Sequence, residues 1–157
     1  MTLYDVFDRL ELTALGQLIS DSIWLFPVVE AGHLIGLGLL GGSILVVDLR
    51  LLGLGLTARS PAYLLMATRP WFVAALLVMF GTGVPLFVSE AVKCYWSYAF
   101  WVKMGALVLA LGFTFGVRNR IVNSQPELEP WLMRVLGVSS IALWLTVAAA
   151  GRWIGFS

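Results

Sequence analysis

Apolar residues run almost unbroken through four stretches of the chain, and the polar residues gather between them. A helix needs about 20 mainly apolar residues to cross roughly 30 Å of bilayer hydrocarbon. The stretches cover 24–47, 71–88, 98–117 and 132–154. The first is interrupted only by Glu30, His33 and Ser43, and the second contains Thr82 and Pro85. The third carries Lys103 near its start, and the fourth has Arg152 near its end. The runs are continuous rather than alternating with period two, so they predict spanning helices and not a closed barrel. Ahead of Trp24, Leu3, Phe7, Leu10, Ala14 and Leu18 recur at helical spacing, with Asp5, Asp8, Arg9, Glu11 and Gln17 between them. That pattern predicts an amphipathic helix over 1–22, lying in the membrane interface or packed on the bundle. The expected fold is therefore all-α: an integral membrane four-helix bundle, one domain over 1–157, with an N-terminal amphipathic interfacial helix.

Composition sharpens this reading. Apolar residues make up 60% of the chain and charged residues 12%, with a mean hydropathy of +0.92. Soluble domains sit near about 45–50% apolar and about 25% charged, so a soluble enzyme and a disordered tail are excluded. A net charge of +1 leaves no polybasic surface for nucleic acid. The single cysteine, Cys94, excludes an internal disulfide and a multi-cysteine zinc site.

The charges also predict orientation. Arg50, Arg59, Arg69, Arg118, Arg120 and Arg134 fall in the connections after spans one and three, with Asp48, Glu127 and Glu129, for a net +3. The opposite side carries a net −2. Basic loops stay cytoplasmic, so both termini are expected in the periplasm of a bacterial inner membrane. Six tryptophans (Trp24, Trp71, Trp96, Trp101, Trp131 and Trp153) lie near span ends, as an interfacial belt requires. Gly32 with Gly36, and Gly38 with Gly42, mark span one as a closely packed central helix.

Candidate chemistry lies inside the spans. A charged side chain there costs roughly 2.5–3.5 kcal/mol on insertion scales. Glu30 and His33 are three residues apart and point broadly the same way. Lys103 and Arg152 are expected in the same outer half, with Thr82 at a similar level. One arrangement is structural: a Glu30–Arg152 bridge, Lys103 reaching outward to the headgroups, and His33 bonded across a helix interface. The other is a site in which His33 binds haem iron or copper, Glu30 orients the imidazole, and Lys103 and Arg152 balance an anionic group. Met79, Met104, Cys94 or His33 of a second copy are the further ligands the sequence offers. Glu30 and His33 are also suited to proton transfer in an enzyme acting on a quinone-like substrate.

The runs FPVVEAGHLIGLGLLGGSILVVDLRLLG (26–53), GTGVPLF (81–87), YAFWVKMGAL (98–107) and AGRWIGF (150–156) resemble a bacterial family of small four-helix inner-membrane proteins of unknown function. The resemblance covers nearly the whole chain and implies an inner-membrane location. A looser likeness, through the Thr-Gly and Phe-x-x-Lys elements, is to copper-resistance D membrane domains and cytochrome b561-like bundles. Those haem bundles rely on several histidines, whereas this chain has one. Three readings follow: a periplasm-facing binding module for haem or copper, built on Glu30, His33, Lys103 and Arg152; a structural anchor or accessory subunit, as a homodimer or in a larger membrane complex; and a quinone-type enzyme.

Overall fold

The computed structural model describes residues 2–125 and 128–156. Glu127, counted above among the loop charges, lies outside the described residues, as do Met1, Pro126 and Ser157. The described chain is helical: α1 (Leu3–Glu11), α2 (Ala14–Ser20), α3 (Leu25–Leu52), α4 (Pro61–Ser89), α5 (Ala91–Trp96), α6 (Tyr98–Gly112), a π-helical segment (Phe113–Arg118), α7 (Asn119–Ser124) and α8 (Pro130–Ile154). Four continuous helical stretches, 25–52, 61–89, 98–124 and 130–154, are long and apolar enough to cross a membrane. Their outward faces carry Leu34, Ile35, Leu77, Val108, Leu109 and Leu145, all exposed. Such a surface is tolerated where lipid rather than water covers it. This is an integral membrane four-helix bundle.

Local signals set the helix ends. Thr2 and Asp5 form a reciprocal capping box on α1, and the Thr13 hydroxyl accepts from Gly16 N–H to start α2. Two short helices thus replace the single segment predicted over 1–22. The helix α4 begins ten residues before the apolar run at Trp71, because Ser60 caps Tyr63 N–H at 3.2 Å and Pro61 occupies the first turn. Arg69 and Pro70 consequently lie within the helix rather than in a loop. Gly53, at φ 76°, closes α3 in the left-handed conformation that glycine adopts without strain.

The N-terminal helices pack on the end of the bundle where His33 lies. Phe7 of α1 is buried in an aromatic cluster with Phe87, Tyr95, Phe100 and Trp101, at centroid distances of 5.4–6.5 Å. Glu11 accepts from Val92 N–H at 2.7 Å, meeting one of the free donors at the start of α5.

Within the bundle α3 packs along α4 and against α8, and α6 packs along α8. The α3–α4 seam is built on small residues: a Cβ at Gly36 would come within 2.9 Å of the Val78 side chain, which packs into the space that a side chain there would take. Between α4 and the third span, large rings fill the space instead, with Phe72 edge-on to Phe115 and Trp144 at 5.6 and 6.2 Å.

The far end of the bundle is locked by ions. Asp48 and Arg118 were expected in connecting loops; both are buried, at 0% and 2% exposure. Arg118 Nη1 donates to Asp48 Oδ1 at 2.6 Å and to Ser140 Oγ at 3.1 Å, and Arg118 Nε donates to Asn119 Oδ1 at 3.1 Å. Three membrane helices meet in that one network. The π-helical segment, in which Asn119 N–H bonds back to Thr114 O, turns Thr114 and Arg118 into the bundle. Thr114 there accepts from Trp144 Nε1 at 3.1 Å. Gly137 lets α8 close on this point, since a Cβ there would sit 3.1 Å from the Asp48 carbonyl.

Removing one partner of a buried ion pair strands the other charge, at a cost of about 3–5 kcal/mol, whereas replacing both by apolar groups is often neutral. Asp48→Ala and Arg118→Ala are each expected to lose stability of that order, and Asp48→Leu with Arg118→Met to recover most of it. Reversible unfolding in detergent measures all three; single variants within about 1 kcal/mol of the parent, the value of an exposed pair, would contradict the burial.

Candidate functional site

His33 lies eight residues into α3, on the face turned to α4. Its room comes from two glycines. Gly32 beside it stands opposite the Thr82 methyl, and a Cβ on Gly83 would lie 3.2 Å from His33 Cε1. The imidazole is thus seated edge-on against the α4 backbone.

Hydrogen bonding fixes its protonation pattern. The Thr82 hydroxyl donates its one proton to the Val78 carbonyl at 2.6 Å, as threonines in apolar helices do. Its oxygen therefore accepts from His33 Nδ1–H, at 2.8 Å. A neutral imidazole protonated at Nδ1 presents a bare lone pair at Nε2. Thr82 supplies what an outer partner of a ligating histidine supplies: a fixed tautomer and a fixed ring.

Lys103, from α6, is the cation of this region. Its side chain runs over Gly151 of α8, with Nζ 3.5 Å from where a Cβ would stand, and its charge reaches both His33 and the Cys94 thiol. It is half-buried and makes no ion pair with another described residue. The expected cluster of four is therefore divided. His33 and Lys103 come into electrostatic range of each other, whereas Glu30 is exposed on α3 and forms no ion pair among the described residues. Arg152 is also exposed and stacks its guanidinium over Phe156 at 4.7 Å, so the Glu30–Arg152 bridge is not formed.

The other candidate ligands are dispersed. Met79 packs over Gly36, Met104 is exposed on α6, and Cys94 is buried in α5. Among the described residues no group of three or more His, Cys, Asp or Glu side chains stands close enough to hold a metal ion. Sequence reasoning missed the Asp48–Arg118–Ser140 network altogether. The usable signal was an aspartate and an arginine at the ends of two different spans, each one residue past the apolar run.

These features define a class: a small four-helix membrane protein with one histidine held between two of its spans. The chain belongs to a family of unknown function, DUF6644, whose model matches residues 15–157. No curated protein and no solved structure matches the chain.

The thiol of Cys94 is pushed up to about 11 by its burial and then by the nearby Glu90 carboxylate, with Lys103 and Lys93 opposing. A thiol of that kind is ionised in roughly one molecule per thousand at pH 8, and only the thiolate is nucleophilic or metal-binding. Iodoacetamide at pH 8 is expected to alkylate Cys94 at least 100-fold more slowly in the folded protein than after unfolding, by intact-mass analysis. Equal rates would mean that the thiol is accessible and ionisable.

Proposed function

We propose that this chain is a membrane-embedded binding module that holds a haem through His33 Nε2. The observation that carries the reading is the Val78–Thr82–His33 hydrogen-bond chain, which leaves Nε2 as an oriented, unprotonated donor within a spanning helix. The donor count then chooses between the two metals. A porphyrin brings four of its iron's ligands and asks the protein for one imidazole, whereas a copper ion draws its donors from side chains. One free imidazole nitrogen, a protonated thiol and scattered methionines fit the former and not the latter.

In this reading Thr82 holds the imidazole plane and tautomer, and Gly83 leaves space for the ring. Lys103, which lacks a carboxylate partner among the described residues, balances a propionate. Bound there, the haem supplies one-electron chemistry. Glu30 and Arg152 have no direct part. The loop charges support an orientation with the His33 end on the non-cytoplasmic side, which in a bacterial inner membrane is the periplasm. Asp48 and Arg118 drop out of the tally as a buried pair, and because they cancel, the basic excess of the connections is unchanged.

A second reading, an accessory subunit without a cofactor, is favoured by Gly38 and Gly42 on α3 and Gly105 and Gly112 on α6. Each has open space where a Cβ would be, and such bare backbone suits close contact with another spanning helix. In the haem reading the same faces suit a second copy.

The protein purified in detergent after expression with supplied haem is expected to show a Soret band and about one haem per site. His33→Ala is expected to abolish both, and Thr82→Val to weaken haem affinity by about 10–100-fold, the usual cost of losing such a partner. An absent Soret band, or unchanged haem content in His33→Ala, overturns the reading.

A further inference from the structure

Beyond the His33 site, the Asp48 end of the bundle contains a cleft of about 240 Å3 between α4 and the third span, with Ser43 of α3 at its floor. It forms where rings rather than small residues separate the two helices. Its polar lining sorts by hydrogen-bonding capacity. Ser43 and Thr68 donate their hydroxyl protons to the Leu39 and Leu64 carbonyls at 2.8 and 2.9 Å, so neither has a proton left to offer. The remaining groups all offer N–H donors. Asn119 uses its Oδ1 to accept from Arg118 Nε, which leaves its amide NH2. Arg118 commits Nε and Nη1, which leaves Nη2. Asn123, one turn beyond Asn119, and Arg69 have no hydrogen-bond or ion-pair partner among the described residues.

The charge balance has the same sense. Asp48 neutralises Arg118, so Arg69 is the uncompensated charge of the cleft. The hollow keeps acceptors in the Asn123 amide oxygen and the two hydroxyl oxygens, but its free N–H groups and its one excess positive charge make it complementary to a phosphate monoanion. Its depth and walls indicate the carrier. Arg69 stands two residues before Trp71, where the apolar run of α4 begins, so the cleft is at the level of the headgroups. Phe72 and Phe115 form an apolar wall on its membrane side.

We propose that this cleft seats the phosphate of an anionic phospholipid, held by Arg69, Arg118, Asn119 and Asn123. Basic pockets between spanning helices are a known form of headgroup recognition; this one is independent of the His33 site and of any haem.

The test uses the purified chain in a non-ionic detergent and titrates dihexanoyl-phosphatidylglycerol, dihexanoyl-phosphatidylcholine and inorganic phosphate by calorimetry. Phosphatidylglycerol is expected to bind at least tenfold more tightly than phosphatidylcholine, whose choline cancels the phosphate charge. Arg69→Gln combined with Asn123→Ala is expected to weaken it at least tenfold; both positions are exposed and outside the Asp48–Arg118 lock, so the fold is retained. Inorganic phosphate that competes at millimolar concentration assigns the seat to the free anion as well, and failure to compete assigns it to lipid. No binding of either probe, equal affinity for the two lipids, or unaltered affinity in the double variant overturns the proposal.

Discussion

Hydrocarbon cannot hydrogen-bond, and every polar atom this chain carries into the membrane has to be met by another atom of the protein or of a ligand. The Asp48–Arg118 pair is the fullest expression of that constraint. Its arginine spends three hydrogen bonds on Asp48, Ser140 and Asn119, and thereby ties α3, α8 and the third span together at one depth. The demand is so nearly met that one buried side-chain atom, Asp48 Oδ2, has no partner among the described residues. The π-helical segment follows from the same need, since it is the local distortion that carries Arg118 inward to the carboxylate.

The His33 end obeys the constraint differently. Thr82 satisfies one ring nitrogen and the Val78 carbonyl satisfies Thr82, but nothing among the described residues accepts the Lys103 charge. His33 and Asp48 are 15 residues apart on α3, about 22 Å along the axis. One helix thus carries an internally paired charge at one end and an unpaired cation beside it at the other. Paired charges hold folds together, whereas polar groups left without a partner at membrane depth are where ligands gain most from binding.

The architecture was legible because hydropathy over 18 or more residues is a strong signal in any context, and all four spans appear where the apolar runs lie. The helix start at Ser60 was equally present, as a serine cap followed by proline, but Arg69 and Pro70 separate it from the apolar run at Trp71 and make it read as part of the connection. The ion pair was hidden for a related reason. Asp48 and Arg118 sit one residue beyond their apolar runs, and a charge in that position reads as a loop charge unless the helix is known to continue. Glu30 misled through angle: three residues turn a helix by about 300° and leave side chains roughly 60° apart, enough for His33 to face α4 while Glu30 swings outward. Thr82 was visible only as a polar residue at a similar depth, since no pattern in one sequence states which hydroxyl on another helix a histidine will meet.

The two ends depend on one another through α3. A ligating nitrogen must be held to within about half an ångström, and side chains on rigid elements achieve that better than side chains on loops. Gly32, Gly36 and Gly83 bring α3 and α4 so close that the imidazole has little freedom to tilt. Glycine contacts, however, define a distance between helices and leave them free to slide. The directional bonds of Asp48, Arg118 and Ser140 remove that freedom between α3, the third span and α8, because a shift of α3 by one residue, about 1.5 Å, would break a 2.6 Å charge-assisted bond in a medium with nothing to replace it. The buried ion pair therefore fixes the depth at which α3, and His33 with it, stands against α8 and the third span, although the two ends share no contact.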